Sequence, residues 1–92
     1  IEVYPAATLL GRGASVKGYK KRGGGGGDAR RALLPLLREE LDCRGAEDVA
    51  IAEPDCFDAL VCVLAGLDFL EGRAVPPASL NVPRREGWIW CP

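Results

Sequence analysis

Five consecutive glycines, Gly23 to Gly27, interrupt the chain in "KKRGGGGGDARR". Glycine loses more conformational freedom on folding than any other residue, so such a run is a poor place for regular structure. Two readings stay open: a natural flexible loop, or an inserted linker. In either case the regular elements are expected on one side of the run or the other.

Before the glycines, "IEVY" alternates Ile1 and Val3 against Glu2 and Tyr4. That period of two predicts a strand, ended by Pro5. Ala6 to Leu10 suit a short helix stopped by Gly11 and Gly13. After the glycines, Asp28 offers an N-cap for "ARRALLPLLREELD". Ala29, Leu33, Leu36, Leu37 and Leu41 form its apolar stripe, with Arg30 and Arg31 outside it. Pro35 either kinks this helix or marks its first turn. "CRGAEDVAIAEP" reads as a loop with an extended piece at Val49 to Ala52. A second main helix opens at Pro54 and Asp55, buries Phe57, Leu60, Val61, Leu64 and Leu67, and ends at Gly72 in a left-handed cap. Asp68 and Glu71 read as solvent-facing charges on it. The proline-rich stretch 73–83 is an extended connector, and "GWIW" a last short strand or plug.

The chain has 92 residues and a formal net charge of −1, which fits one small soluble domain or part of one. No apolar run reaches the ~18 residues of a membrane span, so no membrane contact is expected. The small net charge hides an asymmetry. Residues 1–38 are strongly basic and residues 39–92 strongly acidic. This points either to a polyanion contact beside an acidic region or to a dipolar solvated surface.

Histidine is absent, which removes the usual general base and every Ser/His or Cys/His nucleophile pair. Any chemistry must rest on carboxylates. The four cysteines, at 43, 56, 62 and 91, form no CxxC pair. They read as buried or half-buried free thiols of a cytoplasmic protein.

Glu2, Asp55 and Asp58 are the candidate acids. Asp55 and Asp58 are three apart at a helix start, which makes their side chains neighbours. Two carboxylates so close repel, and a proton or a divalent cation relieves this. Mg²⁺ or Mn²⁺ suits such oxygen ligands, with Glu2 a third if the helix crosses its strand. The same two aspartates also suit a capping box and the helix dipole. The basic Gly-rich loop, residues 12–27, carries Lys17, Lys20, Lys21 and Arg22 to neutralise phosphates and Tyr19 to stack on a base. It also reads as a mobile solvated loop.

"EVYPAATL", "GYK" followed by basic residues, "RRALL", "DALVCVLAG" and "EGWIWCP" occur in that order. Together they resemble the C-terminal part of domain-of-unknown-function family 429, predicted nucleases with an RNase H-like fold. The resemblance covers nearly the whole chain. It implies an α/β architecture: a strand carrying a catalytic Glu2, two main helices, and a C-terminal aromatic segment packed on the body. "FDAL" resembles the helix bearing the last catalytic acid, Asp58, and Asp55 matches an accessory acid. The family's first strands, with their own Asp, have no counterpart here, so residues 1–92 read as a partial domain, catalytically incomplete without the N-terminal part of the same domain. The implied activity is nucleic-acid cleavage by two Mg²⁺ or Mn²⁺ ions, one activating a water and the other stabilising the leaving oxygen. The alternative is a non-catalytic nucleic-acid- or protein-binding module on the same scaffold.

Overall fold

A computed structural model describes residues 2–78 and 87–92. It has four helices: α1 (Pro5–Gly11), α2 (Gly26–Arg38), α3 (Glu47–Ala52) and α4 (Pro54–Leu70). The longest, α4, packs against each of the others, and α2 also meets α3. No helix among the described residues is long and apolar enough to cross a membrane.

The α/β expectation is overturned. The described residues contain no strand, only one isolated parallel bridge between Glu2 and Ile89. Pro5 occupies the first turn of α1, where its missing N–H costs nothing. Helix therefore begins directly after Tyr4. The expected strand residue Ile1 and the connector residues 79–83 lie outside the described residues. The expected extended piece at Val49 is helix α3 instead. Ala, Ile and acidic side chains at its first turn sustain one short turn of helix against α2 and α4.

The glycine run is not a linker between elements, because it begins one. Gly25, at φ +92°, caps α2, and Gly26 and Gly27 form its first turn. Asp28 is therefore inside the helix, not its cap. Gly26 is buried, and a Cβ there would collide with the Lys21 carbonyl. A Cβ on Gly23 would meet nothing. Gly26→Ala is expected to destabilise the protein by about 1–3 kcal/mol, as overpacking does, with Gly23→Ala within about 0.5 kcal/mol of wild type. Urea titration of both variants checks this, and equal midpoints would contradict it.

Helix α2 runs through Pro35 without ending. Leu33, Leu34 and Leu37 are buried with Phe57, Val61 and Leu64 of α4, Leu9 of α1 and Tyr19 of the basic loop. Gly72, at φ +76°, follows the end of α4 as expected. The C-terminal segment folds back onto the body. Trp90 donates its backbone N–H to the Glu2 carbonyl (3.1 Å), and its ring stands edge-on to Phe69. The Trp88 indole donates to the Val75 carbonyl (3.1 Å), and Val75 donates to Cys91 (2.9 Å). All four thiols are free. Cys43 is buried and Cys91 partly so, whereas Cys56 and Cys62 are exposed, contrary to the expectation for them. Burial pushes the Cys43 thiol pKa up.

Two charged residues expected in solvent are buried. Arg30 is 2% exposed and donates to three backbone carbonyls: Tyr19 (2.7 Å), Lys21 (2.7 Å) and Ile51 (2.6 Å). Asp68 is 1% exposed and accepts from Arg12 Nε (3.2 Å), from a second Arg12 nitrogen, and from Arg73 Nε (2.8 Å). Glu40 closes this cluster, reaching Arg73 at 2.6 Å and Arg12 at 3.5 Å.

Candidate functional site

The basic loop is pinned rather than mobile. Tyr19, in its middle, drops into the core and packs on Phe57 with ring centroids 5.7 Å apart. Arg30 reaches under the loop to hold the carbonyls on either side of Lys20. A buried ring cannot stack on a base, so Tyr19 does not play the part assigned to it above. Its neighbours Lys20, Lys21 and Arg22 are thereby lifted to the surface, as is Lys17.

Held this way, the loop faces the N-terminal turns of α4. Lys20 Nζ lies 3.0 Å from Asp58 Oδ2. Arg22 donates to Asp55 Oδ2 (3.0 Å) and lies 3.4 Å from Glu53 Oε2. The hydrogen bond from Lys20 to Asp58, with that carboxylate's charge, raises the lysine pKa; the Asp55 charge adds a smaller push. Both carboxylates are therefore within electrostatic reach of one ammonium. Asp58 Oδ1 and the hydroxyl of Tyr19 are both buried and find no partner elsewhere among the described residues, which leaves them to each other. The phenol faces Asp58. Burial, then the Asp58 charge, pushes its pKa well above the usual tyrosine value.

Of the sequence-predicted residues, the structure brings together Tyr19, Lys20, Arg22, Asp55 and Asp58. Glu2 sits apart in the bridge with Ile89, its carboxylate against the Gly87 backbone. Lys17 and Lys21 are exposed and make no ion pair among the described residues. No group of three or more acidic or thiol side chains is clustered as a metal site among the described residues. Asp55 does not cap α4 with its side chain; Glu53 is the N-cap residue, without a side-chain hydrogen bond. The capping-box reading of Asp55 and Asp58 thus fails.

The charge asymmetry also finds its explanation here. Cations of the basic half pair with acids of the acidic half: Arg12 with Asp68, Lys20 with Asp58, Arg22 with Asp55, and Arg38 with Glu47. Much of the apparent dipole is neutralised inside the fold.

Sequence reasoning missed Arg30 and Asp68, although a signal existed for both. Arg30, Leu33, Leu34 and Leu37 follow the i, i+3, i+4, i+7 spacing of one face, and Phe57, Val61, Leu64 and Asp68 follow i, i+4, i+7, i+11. Each charge lies on a buried stripe.

A profile described as "Protein of unknown function (DUF429)" matches residues 1–81. No curated protein and no solved structure matches the chain.

Proposed function

The chain belongs to the DUF429 family of proteins of unknown function, and we propose that the corner formed by the basic loop and α4 serves metal-dependent phosphodiester hydrolysis on nucleic acid. The observation that carries this reading is the pair of carboxylates on α4, Asp55 and Asp58, held beside a row of exposed basic side chains. One Asp58 oxygen holds Lys20, and the other is buried facing the Tyr19 hydroxyl. Carboxylate oxygens are the ligands that Mg²⁺ and Mn²⁺ favour. Asp58 and Asp55 would hold the metal, and Glu2 belongs to the site only if it moves from its bridge. The metal's contribution is to lower the pKa of a water and stabilise the leaving oxygen. Lys17, Lys20, Lys21 and Arg22 would meet the phosphates.

A second reading, a non-catalytic nucleic-acid- or protein-binding module, is favoured by the absence of a three-ligand cluster among the described residues. Cleavage of single- and double-stranded DNA and RNA with Mg²⁺ and with Mn²⁺ separates the two. The nuclease reading predicts that Asp58→Asn lowers the rate at least about a thousandfold, as loss of a group acting in the transition state does, with the fold intact by circular dichroism. Undiminished cleavage by Asp58→Asn would overturn it. Binding without cleavage by the wild type with the N-terminal part of the domain present would favour the second reading.

A further inference from the structure

A groove of about 460 Å³ runs between α2 and the loop at residues 14–17. Pockets of roughly 300–1,000 Å³ hold small ligands. One wall is a single face of α2, where Ala29, Ala32, Leu33 and Leu36 recur at i, i+3, i+4 and i+7. Two of these are alanines, and their short side chains leave the space. The loop supplies Ala14 and Ser15. Both walls are fixed before a ligand arrives. Leu33 belongs to the core, and Ala14, Ala29 and Leu36 pack against that core. Behind the loop, Gly13 and Ala14 donate to the carbonyls of Leu10 (2.9 Å) and Leu9 (3.0 Å). A preformed site loses little freedom on binding. Three polar features break the apolar lining. Lys17 and Glu39 both line the groove and are exposed, and among the described residues neither makes an ion pair, with the other or with any group. The third is a backbone acceptor. Pro35 lines the groove and has no N–H, so the Arg31 carbonyl lacks the donor that normally closes this turn of α2.

We propose that this groove binds a short apolar peptide with free ends, its carboxylate on Lys17 and its amine on Glu39.

The occupant follows from the charges. An anion alone would meet Lys17 and be repelled by Glu39, and a cation alone the reverse. An uncharged apolar molecule would strip water from two charges and give nothing back. A zwitterion with an apolar body matches both. Lys17 and Glu39 do not touch, so the ligand's charged ends must stand apart. A free amino acid carries its amine and carboxylate on one carbon, whereas a peptide separates them. Its backbone N–H groups also suit the Arg31 carbonyl, and its apolar side chains fill the space over Ala29 and Ala32. The groove is separate from the corner at Asp58, since none of Asp55, Asp58, Lys20 and Arg22 lines it. The peptide site therefore stands whether or not that corner cleaves.

Titration of trileucine into the ¹⁵N-labelled protein, followed by NMR, tests this. Amide resonances around residues 14–17 and 29–39 should move together. Trileucine amide lacks the carboxylate and N-acetyl-trileucine lacks the amine. Each should bind about fivefold more weakly than trileucine, the upper worth of one exposed ion pair. This comparison uses the unsubstituted protein, so it does not depend on how any variant folds. Lys17→Met should weaken trileucine by the same factor and leave trileucine amide unchanged. Glu39→Gln should weaken trileucine likewise and leave N-acetyl-trileucine unchanged. Ala32 is exposed on α2, where leucine is a good helix former, so Ala32→Leu fills the groove without disturbing the helix. It should abolish the shifts. Shifts confined to other residues, or none at millimolar trileucine, would overturn the proposal. So would undiminished binding by Ala32→Leu. Equal affinity for the three peptides would overturn the pairing of Lys17 and Glu39 with the peptide ends. Each result leaves the cleavage reading at Asp58 where it stands.

Discussion

Asp68→Asn is expected to lower the free energy of unfolding by about 3–5 kcal/mol, the cost of breaking a buried ion pair from one side. The carboxylate lies near the C-terminal end of α4 and is almost completely enclosed. It accepts from two arginines that arrive from different parts of the chain, Arg12 after α1 and Arg73 after α4. Asparagine has the same shape but no charge, and its amide would present hydrogens to guanidinium donors. Arg12, itself only 12% exposed, would be left with Glu40 at 3.5 Å as its remaining partner. For a chain of this length the loss corresponds to a fall in Tm of roughly 15–25 °C. A double-mutant cycle separates the charge effect from the packing effect. Arg12→Met with Asp68→Leu should recover part of the loss, because an apolar pair carries no desolvation penalty. A loss below about 1 kcal/mol for Asp68→Asn, within the range of an exposed ion pair, would contradict the burial argument.

Arg30→Met should cost a similar amount by a different route. Methionine keeps much of the side-chain volume and removes every donor. Three backbone carbonyls, at Tyr19, Lys21 and Ile51, then lose a charge-assisted hydrogen bond. Such bonds contribute about 1.5–3 kcal/mol each when counted singly. They share one side chain and are not additive, so the expected total is about 3–4 kcal/mol. The effect is local as well as global. With its clamp gone, the basic loop should open at lower cost, and native-state hydrogen exchange at residues 19–21 should rise more than exchange in α4. Arg30→Lys is expected to recover less than half of the loss, since one ammonium does not span three carbonyls in a fixed fork. Urea titration with hydrogen exchange checks both statements. Uniform weakening, with no extra exchange in the loop, would show that Arg30 does not hold it.

Both residues also mark the limit of what the sequence made legible. Helix α4 was readable end to end, from Pro54 to the left-handed glycine after it, because its apolar period and its stops agree. The aromatic tail was readable as a segment packed on the body. Helix α3 was not, since six residues offer too little periodicity to separate one helical turn from an extended piece. The strand at Glu2 was misread because alternation over four residues carries the pattern of a strand, whereas among the described residues the pairing stops at a single bridge between Glu2 and Ile89. Tyr19 was assigned to the surface because its neighbours are basic, yet one aromatic in a polar loop is enough to anchor that loop in a core. Arg30 and Asp68 were assigned to solvent by residue type, and their position on a buried stripe was the better guide.

The candidate site divides in the same way. The i, i+3 spacing of Asp55 and Asp58 on α4 was visible in the sequence. Their partners were not, because Lys20 and Arg22 are more than thirty residues away and reach them only through the Arg30 clamp and the Tyr19 anchor. What the fold adds is a carboxylate, Asp58, set between an exposed ammonium and a buried phenol.

The most direct measurement is the anomalous scattering of Mn²⁺ in crystals of the protein soaked in MnCl₂. The account predicts an anomalous difference peak about 2.2 Å from a carboxylate oxygen of Asp58. A peak elsewhere, or no peak, would contradict it.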